Sequence, residues 1–146
     1  MTTVAQILDS KADKTIYTTR PTTSVFDAVK LMAEKNIGAL LVTEGESVLG
    51  IITERDYARK IALMSRSSKD TPVREIMTTQ VRYVRPGQTS NECMALMTEG
   101  HLRHLPVMDK GKLLGLLSIG DLVKDVISEQ KFIIQQLEQY IAGDRS

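Results

Sequence analysis

The sequence predicts an α+β fold in which two β-α-β-β-α repeats pack sheet against sheet with pseudo-two-fold symmetry. Two observations predict it. Sliding the chain by 65 positions lays the segment from Arg20 to Ile61 on the segment from Arg85 to Val126 without a gap. Within each copy the apolar residues follow the same succession of periods, first near 3.6 and then near 2. The identities fall at structural positions: Arg20-Pro21 recurs as Arg85-Pro86, Leu31-Met32 as Leu96-Met97, Leu49-Gly50 as Leu114-Gly115 and Asp56 as Asp121.

Each copy opens with a short strand, Ile16 to Thr19 and Val81 to Val84, which Arg-Pro stops because proline opens a turn more readily than it continues a strand. A helix comes next. Val25, Ala28, Val29 and Met32 run i, i+3, i+4, i+7, and Cys93, Met94 and Met97 fill the equivalent stripe, all expected in the core. Two hairpin strands come after it, Ala39 to Val42 with Val48 to Thr53, and His104 to Met108 with Leu113 to Leu117, each pair joined by a glycine-containing turn. A second helix then starts near Thr53 and near Ser118. The polar segment Ser65 to Pro72 reads as the linker between copies. After it, Val73-Arg74-Glu75-Ile76-Met77 resembles Val4-Ala5-Gln6-Ile7-Leu8, so each repeat carries a short leading helix. The expected division is residues 8–64 for the first repeat, 73–130 for the second and 131–146 for a helical C-terminal extension. A copy of about 45 residues buries too little apolar area to offset chain entropy alone, hence the expected pairing.

Composition narrows the function classes. The formal charge is +1 with both signs interspersed, so no basic face announces nucleic acid. No apolar run reaches the roughly 18 residues of a membrane span, and the N-terminus lacks the apolar stretch of a secretory signal, which makes a cytoplasmic location the expectation with no membrane partner. Cys93 stands alone and cannot close an internal disulfide. His101 and His104 have no third ligand at plausible spacing for a metal. No catalytic constellation survives, and the chain is expected not to be an enzyme and to hold no catalytic cofactor.

The segments Gly50-Ile51-Ile52-Thr53-Glu54-Arg55-Asp56 and Gly115-Leu116-Leu117-Ser118-Ile119-Gly120-Asp121, with Leu40-Leu41-Val42 and His104-Leu105-Pro106-Val107, resemble the signatures of a tandem pair of CBS (cystathionine β-synthase) domains, a stand-alone Bateman module. The resemblance covers nearly the whole chain. It implies a regulatory module that binds an adenosine nucleotide (AMP, ADP, ATP or NAD) in clefts between the repeats, and a homodimer that signals to an unidentified effector protein.

Thr53-x-x-Asp56 and Ser118-x-x-Asp121 also fit an ordinary capping box, as do Ser24-x-x-Asp27 and Thr89-x-x-Glu92, where no ligand is expected. The recurrence of Gly, hydroxyl and Asp after an apolar strand, taken with the resemblance, favours ligand contact. An ionised Asp accepts two hydrogen bonds, which suits the vicinal hydroxyls of ribose. Thr53 and Ser118 stand at helix N-termini that favour phosphate. Adenine would lie against strand ends near Ile16, Val81, Ala39, Leu40, Leu41, Leu105 and Pro106, with Gly38 also counted among the nucleotide-site residues. Gly38-Ala39 aligns with Arg103-His104, so the cations that would meet phosphate gather in the second copy, with Arg55 and Arg59 partly redressing the first. The rival reading is a non-binding scaffold or dimerisation module. Ile127, Ile134 and Ile141 at heptad spacing in the extension make a homodimer the expected use of that helix.

Overall fold

Strand pairing organises the first repeat in the computed structural model, which describes residues 2–143. β1 (Thr18–Thr19) runs parallel to β2 (Ala39–Glu44), and β2 pairs antiparallel with β3 (Ser47–Thr53). β1 is shorter than the sequence suggests, and Ile16 precedes it without regular structure. Between β1 and β2 lies α2 (Val25–Lys35), started by the Ser24 hydroxyl accepting from the Asp27 amide and ended by Asn36 at φ 54°. Its face Val25, Ala28 and Met32 is buried. The hairpin turns at Gly45, whose φ of 62° suits glycine. β3 leads into α3 (Glu54–Tyr57), which widens into a π turn over Ala58–Ala62, where the Leu63 amide donates to the Ala58 carbonyl.

The second repeat has the same plan with one strand fewer. α4 (Ser90–Gly100) is capped by Thr89 and ends on His101 at φ 52°, the counterpart of Asn36. Its buried face is Ser90, Cys93 and Met97, repeating the spacing of Val25, Ala28 and Met32. Met94, expected in that stripe, is exposed instead, since it projects one step to the side of this line. β4 (His104–Asp109) and β5 (Lys112–Ser118) form a two-stranded sheet. They turn at Lys110 and Gly111, which supply the two positive φ values of a type I′ turn. The strand expected over Val81 to Val84 contracts to a single bridge, Val84 beside Val107. The reason is Pro106. Thr18 lies opposite Leu41 in the first repeat, and the equivalent of Leu41 is Pro106, which has no N–H to continue a parallel ladder beyond Val84. α5 (Ile119–Gly143) closes the chain, and no helix of the described residues is long and apolar enough to cross a membrane.

The chain forms two compact units, each with its own core. One contains the N-terminal segment through Lys14, Val84–Met108 and the chain from Gly115 onward; the other contains Thr15–Tyr83 with Asp109–Leu114. The leading segments are exchanged. α1 (Val4–Ser10), which precedes the first repeat, buries Val4 and Ile7 in the core of the second beside Cys93, Met97, Leu105 and Leu117. The short 3-10 turn Val73–Glu75, which precedes the second repeat, contributes Val73 and, just after it, Ile76 to the core of the first.

The same hydrogen bonds dock both segments. The Val4 amide donates to the Gln88 carbonyl, Ala5 to Pro86 and Ser90 to Thr2; Val73 donates to Thr23, Arg74 to Pro21 and Val25 to Thr71. The repeated glycines belong to this docking. A Cβ on Gly50 would come within 2.6 Å of the Thr78 carbonyl oxygen, and one on Gly115 within 2.8 Å of the Leu8 side chain.

Ile7→Ala should therefore destabilise the second repeat and not the first, by about 2–4 kcal/mol for a buried aliphatic truncation. Hydrogen exchange is expected to accelerate in α4 and β4 while β2 and β3 keep their protection.

Candidate functional site

Both strand-to-helix turns are built as capping boxes, and each begins with a backbone tie. At the end of β3 the Glu54 amide donates to the Gly38 carbonyl at 3.0 Å, and at the end of β5 the Ile119 amide donates to the Arg103 carbonyl at 2.9 Å. These bonds set Gly38-Ala39 beside Thr53 and Asp56, and Arg103-His104 beside Ser118 and Asp121. The Asp56 amide donates to Thr53 Oγ1 at 3.1 Å and the Asp121 amide to Ser118 Oγ at 3.1 Å. In return Asp56 Oδ2 accepts from the Thr53 amide at 3.0 Å, and Asp121 Oδ2 accepts from the Ser118 amide at 2.8 Å. One carboxylate oxygen in each turn thus completes the helix start.

The remaining capacity differs. Asp56 is buried, and its Oδ1 accepts from Thr78 Oγ1 at 3.3 Å and pairs with Lys60 Nζ at 3.1 Å, while the Thr53 hydroxyl donates to Oδ2. Lys60 also donates to the Ile76 carbonyl at 2.9 Å. In the second repeat the lysine is Lys11, which lies just past α1 and pairs with Asp121 Oδ2 at 3.1 Å while donating to the Leu116 carbonyl at 2.9 Å. Among the described residues, Asp121 Oδ1 accepts no hydrogen bond and the Ser118 hydroxyl donates none. The helix position of Lys60 is held in the second repeat by Asp125, whose Oδ2 is buried without a hydrogen-bond partner among the described residues.

Charge also gathers in the second repeat. Burial pushes the half-buried His104 imidazole below its ordinary value; Asp121 pulls it back up, and Arg103 and Lys11 press it down again. His104 is therefore a neutral hydrogen-bonding group near pH 7, and exposed Arg103 is the cation beside it. The Cys93 thiol is raised by burial and by Glu92, in keeping with a core side chain. No three His, Cys, Asp or Glu side chains gather as a metal site among the described residues.

The other expected residues spread out. Leu40 and Leu105 place their side chains in the two cores, so neither side chain is available outside them. Ala39 and Pro106 are buried in β2 and β4, Ile16 and Val81 are half-buried in irregular segments, and Arg55 is exposed on the first turn of α3. Three partners escaped sequence reasoning: Lys60, Thr78 and Lys11. Lys60 carried a signal, its i,i+4 spacing from Asp56. The other two arrive on exchanged segments, which local spacing does not reveal.

The model of the CBS domain matches residues 4–63 and 73–128. The CBS domain-containing protein CBSX3, mitochondrial, of Arabidopsis thaliana is 41% identical over 150 residues, covering 97% of this chain and 73% of that protein. The chain spans 21–23% of the length of longer Arabidopsis relatives that it matches at 32% identity. Among solved structures, a putative signal-transduction protein with CBS domains from Burkholderia ambifaria is 65% identical, covering 88% of this chain and 96% of that one, with a TM-score of 0.86. CBSX2, solved in complex with AMP, is 26% identical, covering 89% of this chain and 99% of that one, with a TM-score of 0.73.

The lowered His104 makes the protein less stable in acid. Below the ordinary value of 6.5 the unfolded chain binds a proton that the folded protein refuses, so stability is full above that value and is lost as pH falls through the lower folded one. Urea midpoints between pH 7.5 and 5 should show this slope, and His104→Gln should flatten it.

Proposed function

This chain belongs to the CBS-domain family, and from that footing we propose that it is a regulatory module binding an adenosine nucleotide, AMP, ADP, ATP or NAD, at its strand-to-helix turns. The observation that carries this reading is the reserve capacity at Ser118 and Asp121. A ribose needs an acceptor for its vicinal hydroxyls, and Asp121 Oδ1 supplies one without dismantling the cap. Arg103 beside it meets phosphate as a cation, and neutral His104 adds a hydrogen bond. Support also comes from CBSX2, a relative in fold and sequence solved with AMP.

The first repeat favours a second reading, a turn that serves only as scaffold. Both oxygens of Asp56 are already engaged, and a ribose there has to displace Lys60 and Thr78. The two turns are thus unequal, with the second as the principal site. In this reading the module acts as a homodimer and passes its state to an effector protein, which requires the nucleotide to bind two conformations with different affinity.

Thermal unfolding of ligand-stripped protein with a panel of AMP, ADP, ATP and NAD tests the proposal. A ligand at 100 times its dissociation constant adds about 2.7 kcal/mol, an easily seen shift. Asp121→Asn is expected to weaken that ligand by at least about tenfold, given about 1.5–3 kcal/mol for a charged hydrogen bond. Asp56→Asn should chiefly lower stability. If no nucleotide shifts the transition, the scaffold reading stands in place of the sensor. If only Asp56→Asn weakens the ligand, the principal site lies in the first repeat.

A further inference from the structure

α5 begins inside its unit and leaves it. Leu122 is buried in the core and the Glu129 carboxylate accepts from the Thr2 hydroxyl, whereas every described residue beyond Glu129 is exposed. No proline or glycine interrupts the chain between Asp121 and Ala142, so the helix cannot bend its end back onto the unit. Ile133, Ile134, Leu137, Tyr140 and Ile141 stand 53–67% exposed on this projecting part. Such a contiguous apolar face on a surface helix marks an interaction site. With Ile127, Ile134 and Ile141 at heptad position a, Gln130 and Leu137 fall at d, Ile133 and Tyr140 at g, and Lys131 and Glu138 at e.

We propose that a second copy of this chain covers this face, α5 against α5 and antiparallel, with Lys131 of each protomer paired to the partner's Glu138. The inference rests on the homodimer of the proposed function and fixes its surface and direction. Charge decides the direction. In a parallel pair, position g lies beside position e of the other helix, which sets Ile133 against the partner's Glu138 and leaves Lys131 facing no carboxylate. In an antiparallel pair, e meets e and g meets g. One register meets these demands together: Ile134 packs on the partner's Leu137, Ile133 on the partner's Tyr140, and Lys131 meets the partner's Glu138 twice by symmetry, while Ile141 lies beside the partner's Gln130 at each end. Gln130 falls at the end of this seam, where its amide keeps water. A helix segment this short does not form alone in water, but here its nucleus is already built into the folded unit.

Sedimentation velocity on the full chain tests the pairing. Lys131→Glu alone and Glu138→Lys alone each turn two attractive pairs into two repulsive ones and should weaken the dimer about tenfold. The double variant restores the pairs and should restore the dimer. Ile134→Asp with Leu137→Asp should give a monomer whose circular dichroism still shows the folded units, since both positions are exposed. A dimer indifferent to the single reversals, or not restored by the double one, overturns the pairing while leaving the homodimer standing. A monomer at every concentration overturns both.

Discussion

The docking of each leading segment on the opposite repeat is the constraint on which the rest of this structure depends. Three hydrogen bonds and two buried aliphatic side chains recur at both places. The segment then passes over a glycine, Leu8 over Gly115 and Met77 beside Gly50, because a side chain there would collide with it. The residues just past the segment reach the site. Thr78 comes directly after Met77 and donates to Asp56; Lys11 comes shortly after Leu8 and pairs with Asp121. The glycine of the repeated motif thus acts through packing, and the carboxylate of the same motif is set by the side chain that this packing delivers.

Capping and the proposed ligand contact draw on the same carboxylate, and the distinction between them lies in single oxygens. Oδ2 closes the helix start in both turns. Removing it leaves backbone N–H groups unsatisfied at a partly buried helix end, so this oxygen is held whether or not a ligand is present. Only Oδ1 is negotiable, and there the copies part: Lys60 and Thr78 hold it in the first repeat, while Lys11 approaches Oδ2 in the second. A duplicated scaffold has therefore produced turns with the same backbone and unequal chemistry.

Much of this is legible in the residues and some is not, for identifiable reasons. The repeat, both hairpins and the two helix starts follow from periodicity and capping residues, which act locally. The address of α1 does not, because Val4 and Ile7 declare that the segment is buried without declaring against which core. The missing strand before Val84 is readable in principle: Pro106 is a donor gap in its own strand, but its cost falls on the neighbour that needed that donor. Met94 shows the limit of a stripe drawn by residue type, since the helix buries the line through Ser90, Cys93 and Met97 and leaves the methionine beside it in water.

The repeats diverge most where the last helix of each must end. In the first, the chain has to return through the linker to lay Val73 and Ile76 into the same core, and the helix is cut to one turn of α and a widened π turn carrying Lys60. In the second, the helix runs on past Leu122 as one α-helix to Gly143. The same starting motif thus yields a locked turn with a lysine on its carboxylate in one copy. In the other it yields a long lever whose first turn carries Asp121 and whose far end carries the apolar face. The free oxygen of Asp121 and the projecting apolar face thus lie on one continuous helix.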